Sequence, residues 1–169
     1  MQTSFRFITP FKFPIKSSIG VIAILFLLHT AAFALSGRVT KVHDGDTFTL
    51  LDAAGQMHKI RVHGIDCPEL NQPFGKSARE YAKGLLLNRQ VSIQGTKKDR
   101  YKRLIGIVFL PDGSNFNERM LLAGMAWHFT KYDTNPLWTG MEREARNQKR
   151  GLWASPSPMA PWDWRKRKS

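Results

Sequence analysis

The sequence predicts an α+β, mostly β domain: a five-stranded barrel with about three helices packed on it. Three observations carry this expectation. Five short segments between residues 37 and 110 have strand-like patterns, alternating or continuously apolar, bounded by turn residues. One amphipathic helical stripe lies between the third and fourth of them. The length, 169 residues, suits about one domain with a single hydrophobic core.

Taken in order, residues 1–34 read as an export signal. Arg6, Lys12 and Lys16 form a basic start, residues 19–28 an apolar stretch, and Ala32-Phe33-Ala34 a small-x-small cleavage pattern that would leave Leu35 first. The competing reading is an uncleaved anchor, since residues 19–35 carry no charge. Either way the domain is expected outside the cytoplasm, secreted or periplasmic when the signal is cleaved and tethered facing outward when it is not.

Residues 37–43 alternate as a first strand, and Asp44-Gly45 turns the chain. Residues 47–51 are a second strand and, after Ala54-Gly55, residues 57–62 a third. Residues 66–75, with Pro68 and Pro73, form a loop. Ala78, Tyr81, Ala82, Leu85 and Leu86 make one apolar stripe on a helix over 76–87, stopped at Asn88. Residues 90–96 alternate as a fourth strand, and 104–110 are apolar enough for a fifth strand buried on both faces. Asn117 is expected to cap a short helix over 118–123 ended by Gly124, and a last helix spans 136–149, ended by Gly151. Five strands with a helix between the third and fourth give the order of an OB-fold barrel. The domain runs over 35–154. The tail, 155–169, holds Pro156, Pro158, Pro161, Trp162, Trp164 and a basic run; it shows no packing period and reads as extended and mobile, docking of its tryptophans on the domain being the alternative.

Formal net charge is +13, from 26 basic and 13 acidic residues. Three of the basic residues and none of the acidic ones lie in residues 1–34, so the remainder carries +10. A domain this basic suits a polyanionic partner, nucleic acid or an anionic membrane surface. Cys67 is the only cysteine, which excludes an intrachain disulfide, and the five histidines are too scattered for a cysteine–histidine zinc site.

The stretch from Asp44 to Glu69 organises the chemistry. It opens on Asp44-Gly45-Asp46-Thr47 and closes on Arg61-Val62-His63-Gly64-Ile65-Asp66-Cys67-Pro68-Glu69. A hairpin between them would bring both acidic clusters to one end of a sheet, so that carboxylates and an arginine meet around a divalent metal. Asp46 and Asp66 offer hard oxygen donors of the kind that Ca²⁺ or Mg²⁺ takes. Asp44 is either an orienting neighbour or simply a turn residue, since Asp-Gly is a common turn pair.

These motifs, followed by Asp99-Arg100-Tyr101-Lys102-Arg103 and then Asn117-Glu118 with Gly124-Met125-Ala126, resemble the thermonuclease family, the secreted staphylococcal nuclease type, over residues 37–153. The resemblance implies that Asp46, Asp66 and the backbone carbonyl of Cys67 bind one Ca²⁺. It makes Glu69 the candidate general base and Arg61 and Arg103 the candidate phosphate clamps. It sets Tyr101 near the bound phosphate and Tyr132 as a stacking face for a base, a position to which Thr130 also falls close. The activity it implies is calcium-dependent endonucleolytic hydrolysis of DNA and RNA by a monomer, with low sequence specificity and 3′-phosphorylated products. Two departures stand out: Cys67 replaces a threonine, and Lys102 replaces a glycine, which would strain a turn that needs positive φ. Two other readings are a non-catalytic OB-fold module that holds nucleic acid and a tethered protein that uses its basic tail at an anionic surface.

Overall fold

The structure, a computed structural model, describes residues 35–95 and 97–167. The expected leader over 1–34, the last expected strand residue Thr96 and the end of the basic run at Lys168 lie outside the described residues. Among the described residues no helix is long and apolar enough to cross a membrane.

Five strands close a barrel: β1 (Leu35–Val42), β2 (Thr47–Asp52), β3 (Met57–Val62), β5 (Gln90–Gln94) and β6 (Leu104–Phe109), in the cyclic order β1-β2-β3-β6-β5. This is the OB-fold order expected. All pairings are antiparallel except β3 with β6. β1 pairs with both β2 and β5, and its register shifts between Val39 and Lys41, the kind of irregularity that lets one strand bend between two neighbours. Alternation sets the core: Val39, Phe48, Leu50, Ile60, Val62, Val91, Ile93 and Val108 point inward and are buried. β6 differs from its expectation. Its residues alternate between buried and half-buried, because its outer face is not fully covered.

Two strands of two residues each form a small second sheet, β4 (Ile65–Asp66) against β7 (Trp127–His128). The sequence reading placed Asp66 at the start of a loop; it lies instead on β4, paired with Trp127. Nothing in a two-residue strand carries a period, so only the fold reveals it.

α1 (Gly75–Leu86) buries Ala78, Ala82 and Leu86 of the expected stripe against the barrel, and the chain leaves it through Asn88, which sits at φ 62. α2 (Phe116–Leu122) begins earlier than expected, and its cap is Asn115, whose side chain accepts from the N–H groups of Asn117 and Glu118. Asn117 is a buried bridge instead. Its Nδ2 donates to the His63 carbonyl at 2.7 Å, and its Oδ1 accepts from the Val108 N–H at 3.4 Å. α3 (Pro136–Asn147) starts on Pro136, with Asn135 as its cap. A 3₁₀ turn over Gly151–Ala154 follows.

The tail corrects the picture of an extended, mobile segment. Residues Pro161–Lys166 form a fourth helix, α4, and it packs on the domain. Trp162 stacks on Phe129 with ring centroids 4.9 Å apart and planes 11° apart, and meets Trp127 edge-on at 5.5 Å. The Gln72 side chain donates to the Met159 carbonyl at 2.7 Å, and Trp164 Nε1 donates to Asn71 Oδ1 at 3.2 Å.

Candidate active site

The hairpin β2–β3 does bring the two acidic clusters together. Thr47 lies opposite Arg61 across the ladder, so Asp46, one residue earlier, sits beside the arginine. The Val62 N–H donates to the Asp46 carbonyl at 2.9 Å and fixes that approach. Gly45 lets the turn close onto the next loop: a Cβ there would stand 2.6 Å from Cys67 Cβ and 2.8 Å from its Sγ. β4 then carries Asp66 to the other side of Arg61.

One guanidinium holds this centre. Arg61 Nη2 lies 2.8 Å from Asp66 Oδ1 and 3.2 Å from Asp46 Oδ2. Its Nη1 donates to the Val62 carbonyl at 2.8 Å and the Ile65 carbonyl at 2.9 Å. The Cys67 N–H donates to Asp46 Oδ2 at 2.7 Å, and the Asp46 N–H to Asp44 Oδ1 at 3.0 Å. Asp44 is therefore a turn-shaping neighbour of the pair.

Both carboxylates are almost wholly buried, Asp46 6% and Asp66 1% exposed. Burial pushes the Asp46 carboxyl up to about 6 against the pull of Arg61, with Asp44 adding to the rise. Burial likewise raises Asp66, against the hydrogen bond from Arg165. Burial works against the Arg61 charge, but Asp46 and Asp66 outweigh it and hold the guanidinium firmly protonated. Arg61 thus faces two buried carboxylates, more negative charge than one guanidinium balances.

Glu69 lies in the loop between β4 and α1. The Gln72 N–H donates to its carbonyl at 2.8 Å, and its own N–H donates to Gln72 Oε1 at 3.1 Å. Gly75 opens α1 directly over it, where a Cβ would meet the Glu69 carbonyl oxygen at 1.8 Å. The side chain itself is accessible, 39% exposed.

Arg165 of α4 joins this group. Its Nη2 lies 2.8 Å from Asp66 Oδ2, and its Nη1 lies 2.8 Å from Glu69 Oε1 and 3.3 Å from Asp66 Oδ1. Asp66 and Glu69 hold its guanidinium charged against the cost of burial. The sequence reading missed this residue. It stands in a basic run that reads as a solvated surface, and 99 residues separate it from Asp66. The only signal was the pair of tryptophans beside it.

The remaining candidates lie further out. Arg103 directly precedes β6, whose Ile105 lies beside Arg61. Its Nε donates to Asp99 Oδ2 at 2.7 Å, and Asp99 Oδ1 accepts from the N–H groups of Tyr101 and Arg103. This is a tight turn whose Lys102 sits at φ 60. No direct contact joins Arg103 to the Asp46–Asp66 pair among the hydrogen bonds and ion pairs of the described residues. Tyr101 and Tyr132 are both exposed, at 63% and 61%. Arg103 lies over the Tyr101 ring, and Tyr132 meets Phe129 edge-on at 4.8 Å.

Among the described residues no three His, Cys, Asp or Glu side chains converge to hold a metal ion. A cation here would have the two carboxylates of Asp46 and Asp66, with carbonyl oxygen and water completing its shell. That donor set is all oxygen, which fits a hard divalent ion.

Comparison with known proteins identifies the family. The family model for staphylococcal nuclease homologues matches residues 59–155. A protein of Escherichia coli O157:H7 named "Uncharacterized endonuclease" is 37% identical over 153 residues, covering 90% of this chain and 99% of its own length. A Haemophilus influenzae protein of the same name is 34% identical over 76% of this chain and 72% of its own. The "Probable staphylococcal-like nuclease CAN1" of Oryza sativa subsp. japonica is 36% identical over 69% of this chain and 35% of its own. With the barrel order, the acidic pair on Arg61 and a match over more than half of its length, the chain belongs to the staphylococcal nuclease homologue family.

Proposed function

We propose that this protein is an exported, calcium-dependent endonuclease that hydrolyses phosphodiester bonds in DNA and RNA with little sequence preference, leaving 3′-phosphates. The observation that carries the reading is the buried Asp46–Arg61–Asp66 cluster at the barrel end, with the accessible carboxylate of Glu69 beside it. Nuclease names among the relatives support it.

Asp46 and Asp66 would hold the calcium, with the Cys67 carbonyl as the further protein ligand. When bound, the ion would supply Lewis-acid polarisation of a phosphate oxygen. Glu69 accepts a proton from the attacking water. Arg61 spends both terminal nitrogens on protein oxygens, so its first role is to keep two like charges together. Arg103, oriented by Asp99 through Nε and Nη2, would serve with its remaining N–H groups as the clamp for a phosphate that gains charge at the transition state. Tyr101 and Tyr132 offer exposed rings, each beside a cationic side chain, to the strand. All these groups address the backbone or any base, hence the low specificity.

The test incubates purified protein with plasmid and with RNA, in calcium and then in chelator, beside Glu69→Gln and Arg103→Ala. Each variant is expected to lose about 100-fold or more in rate. Undiminished cutting in chelator, or by both variants, overturns the mechanism. Retained binding with no cutting under any condition returns the protein to the class of OB-fold binding modules.

A further inference from the structure

α4 lies across the place that the reaction needs. Arg165 touches both oxygens of Asp66 and one of Glu69, so it occupies the face of the proposed cation ligand and the proposed base at once. Trp162 covers the ring of Phe129, an aromatic face adjoining Tyr132. A guanidinium thus stands where a cation would bind, and an indole covers the Phe129 ring beside the exposed Tyr132. The charge count agrees. Asp46, Asp66 and Glu69, with Asp44 beside Asp46, face Arg61 and Arg165, leaving two net negative charges; without Arg165 three remain, so the pocket that Arg165 leaves is more strongly negative and suits a divalent ion.

The segment is also built to leave. α4 has six residues and no side-chain cap, too short to persist as an isolated helix. Ser155-Pro156-Ser157-Pro158 joins it to the body. Among its polar anchors are Gln72 to the Met159 carbonyl and Asn71 to Trp164. Arg165 remains 44% exposed, open to competition.

We propose that residues 159–167 form an autoinhibitory latch: Arg165 and a divalent cation compete for Asp66, and cation binding lifts the segment and uncovers Phe129 for a nucleic-acid strand. The inference deepens the calcium-dependent nuclease reading and rests on it.

Calorimetric titration of the full chain with Ca²⁺, without nucleic acid, tests it directly. If the latch is closed in about nine molecules of ten, opening it tightens the apparent Kd about tenfold. Arg165→Gln is expected to show that gain. Trp162→Ala keeps every charge and is expected to show a gain of about threefold or more, because it weakens docking alone. Lys166→Gln, which removes a nearby charge paired with Asp163, is expected to stay within about twofold. Tryptophan emission of the unaltered chain should shift to the red as Ca²⁺ binds, and Trp162→Ala should lack most of that shift. Equal Ca²⁺ affinities in all four proteins overturn the latch, as does a Lys166→Gln gain equal to that of Arg165→Gln; calcium-dependent cutting of plasmid then leaves the nuclease reading standing. No calcium binding in any of the four, with cutting undiminished in chelator, overturns the latch and the calcium site together.

Discussion

At the scale of single residues, Arg61 and Lys102 carry opposite kinds of cost. Arg61 satisfies two buried carboxylates and two carbonyls with one planar fork. A lysine supplies a point charge that cannot reach four acceptors. Arg61→Lys is therefore expected to lower stability by about 1–3 kcal/mol, because it keeps the charge but leaves buried oxygens that the fork satisfied without a donor. Urea unfolding in chelator measures it, and a loss below about 1 kcal/mol would mean that those oxygens are satisfied some other way. Lys102 occupies a left-handed conformation at φ 60, in a position where its family resemblance places glycine. That geometry costs a side-chain-bearing residue about 1–2 kcal/mol, partly offset by the entropy that glycine loses on folding. Lys102→Gly is expected to raise stability by about 0.5–1 kcal/mol. A lower urea midpoint would show that the lysine makes compensating contacts. The sequence flagged this residue correctly as conditional, since the glycine it replaces is informative only once the turn's φ is known.

At the scale of elements, what the sequence made legible follows its periods. The five barrel strands and the stripe on α1 were readable because alternation and helical spacing extend over five or more residues. β4 and β7 were not, since two residues hold no period, and the cap of α2 was misplaced by two residues because Asn115 and Asn117 offer the same chemistry. Asp133 shows what such local pieces do once folded. It lies 3.2 Å from His63 Nε2 and 3.0 Å from His128 Nε2, and its Oδ1 accepts from the Asn135 N–H at 2.8 Å. It thus joins the end of β3, β7 and the start of α3. Burial opposes its charge, but the Asn135 N–H and the two histidines outweigh burial and hold its carboxyl below the usual range. A carboxylate with a folded value below its unfolded one, about 3.9, stabilises the fold above that pH. The contribution fades as pH falls through the folded value. Asp133→Asn should therefore be less stable than the unaltered chain near neutrality, and the gap should close below about pH 4. A gap that stays constant from neutral pH to acid, by thermal unfolding, would show that charge is not what Asp133 contributes.

At the scale of the whole molecule, the tail was hardest to read, because its position is set by contacts with residues from 33 to 99 positions earlier in the chain. Arg165 reaches Asp66, Trp162 reaches Phe129 and Trp164 reaches Asn71. The charge balance, in contrast, was legible from composition alone: residues 35–169 carry +10. That charge predicts how the folded protein meets its substrate. Single-stranded nucleic acid releases counterions as basic groups neutralise its phosphates, with a slope in log affinity against log salt of about −0.7 per phosphate. If Arg103 and its neighbours neutralise about four phosphates, the slope is about −3, and affinity falls roughly 50-fold between about 50 and 200 mM KCl. Glu69→Gln, which slows turnover by removing the proposed base while calcium keeps the site occupied, lets the equilibrium be measured with a labelled oligonucleotide. Oligo-dT and oligo-dA should give the same slope, since phosphate contacts are blind to sequence, and should differ only in the stacking part of affinity at Tyr101 and Tyr132. A salt response below about threefold over that range would mean that the net charge does not face the strand. A slope that differed between the two oligonucleotides would mean that base contacts, not phosphates, set the approach.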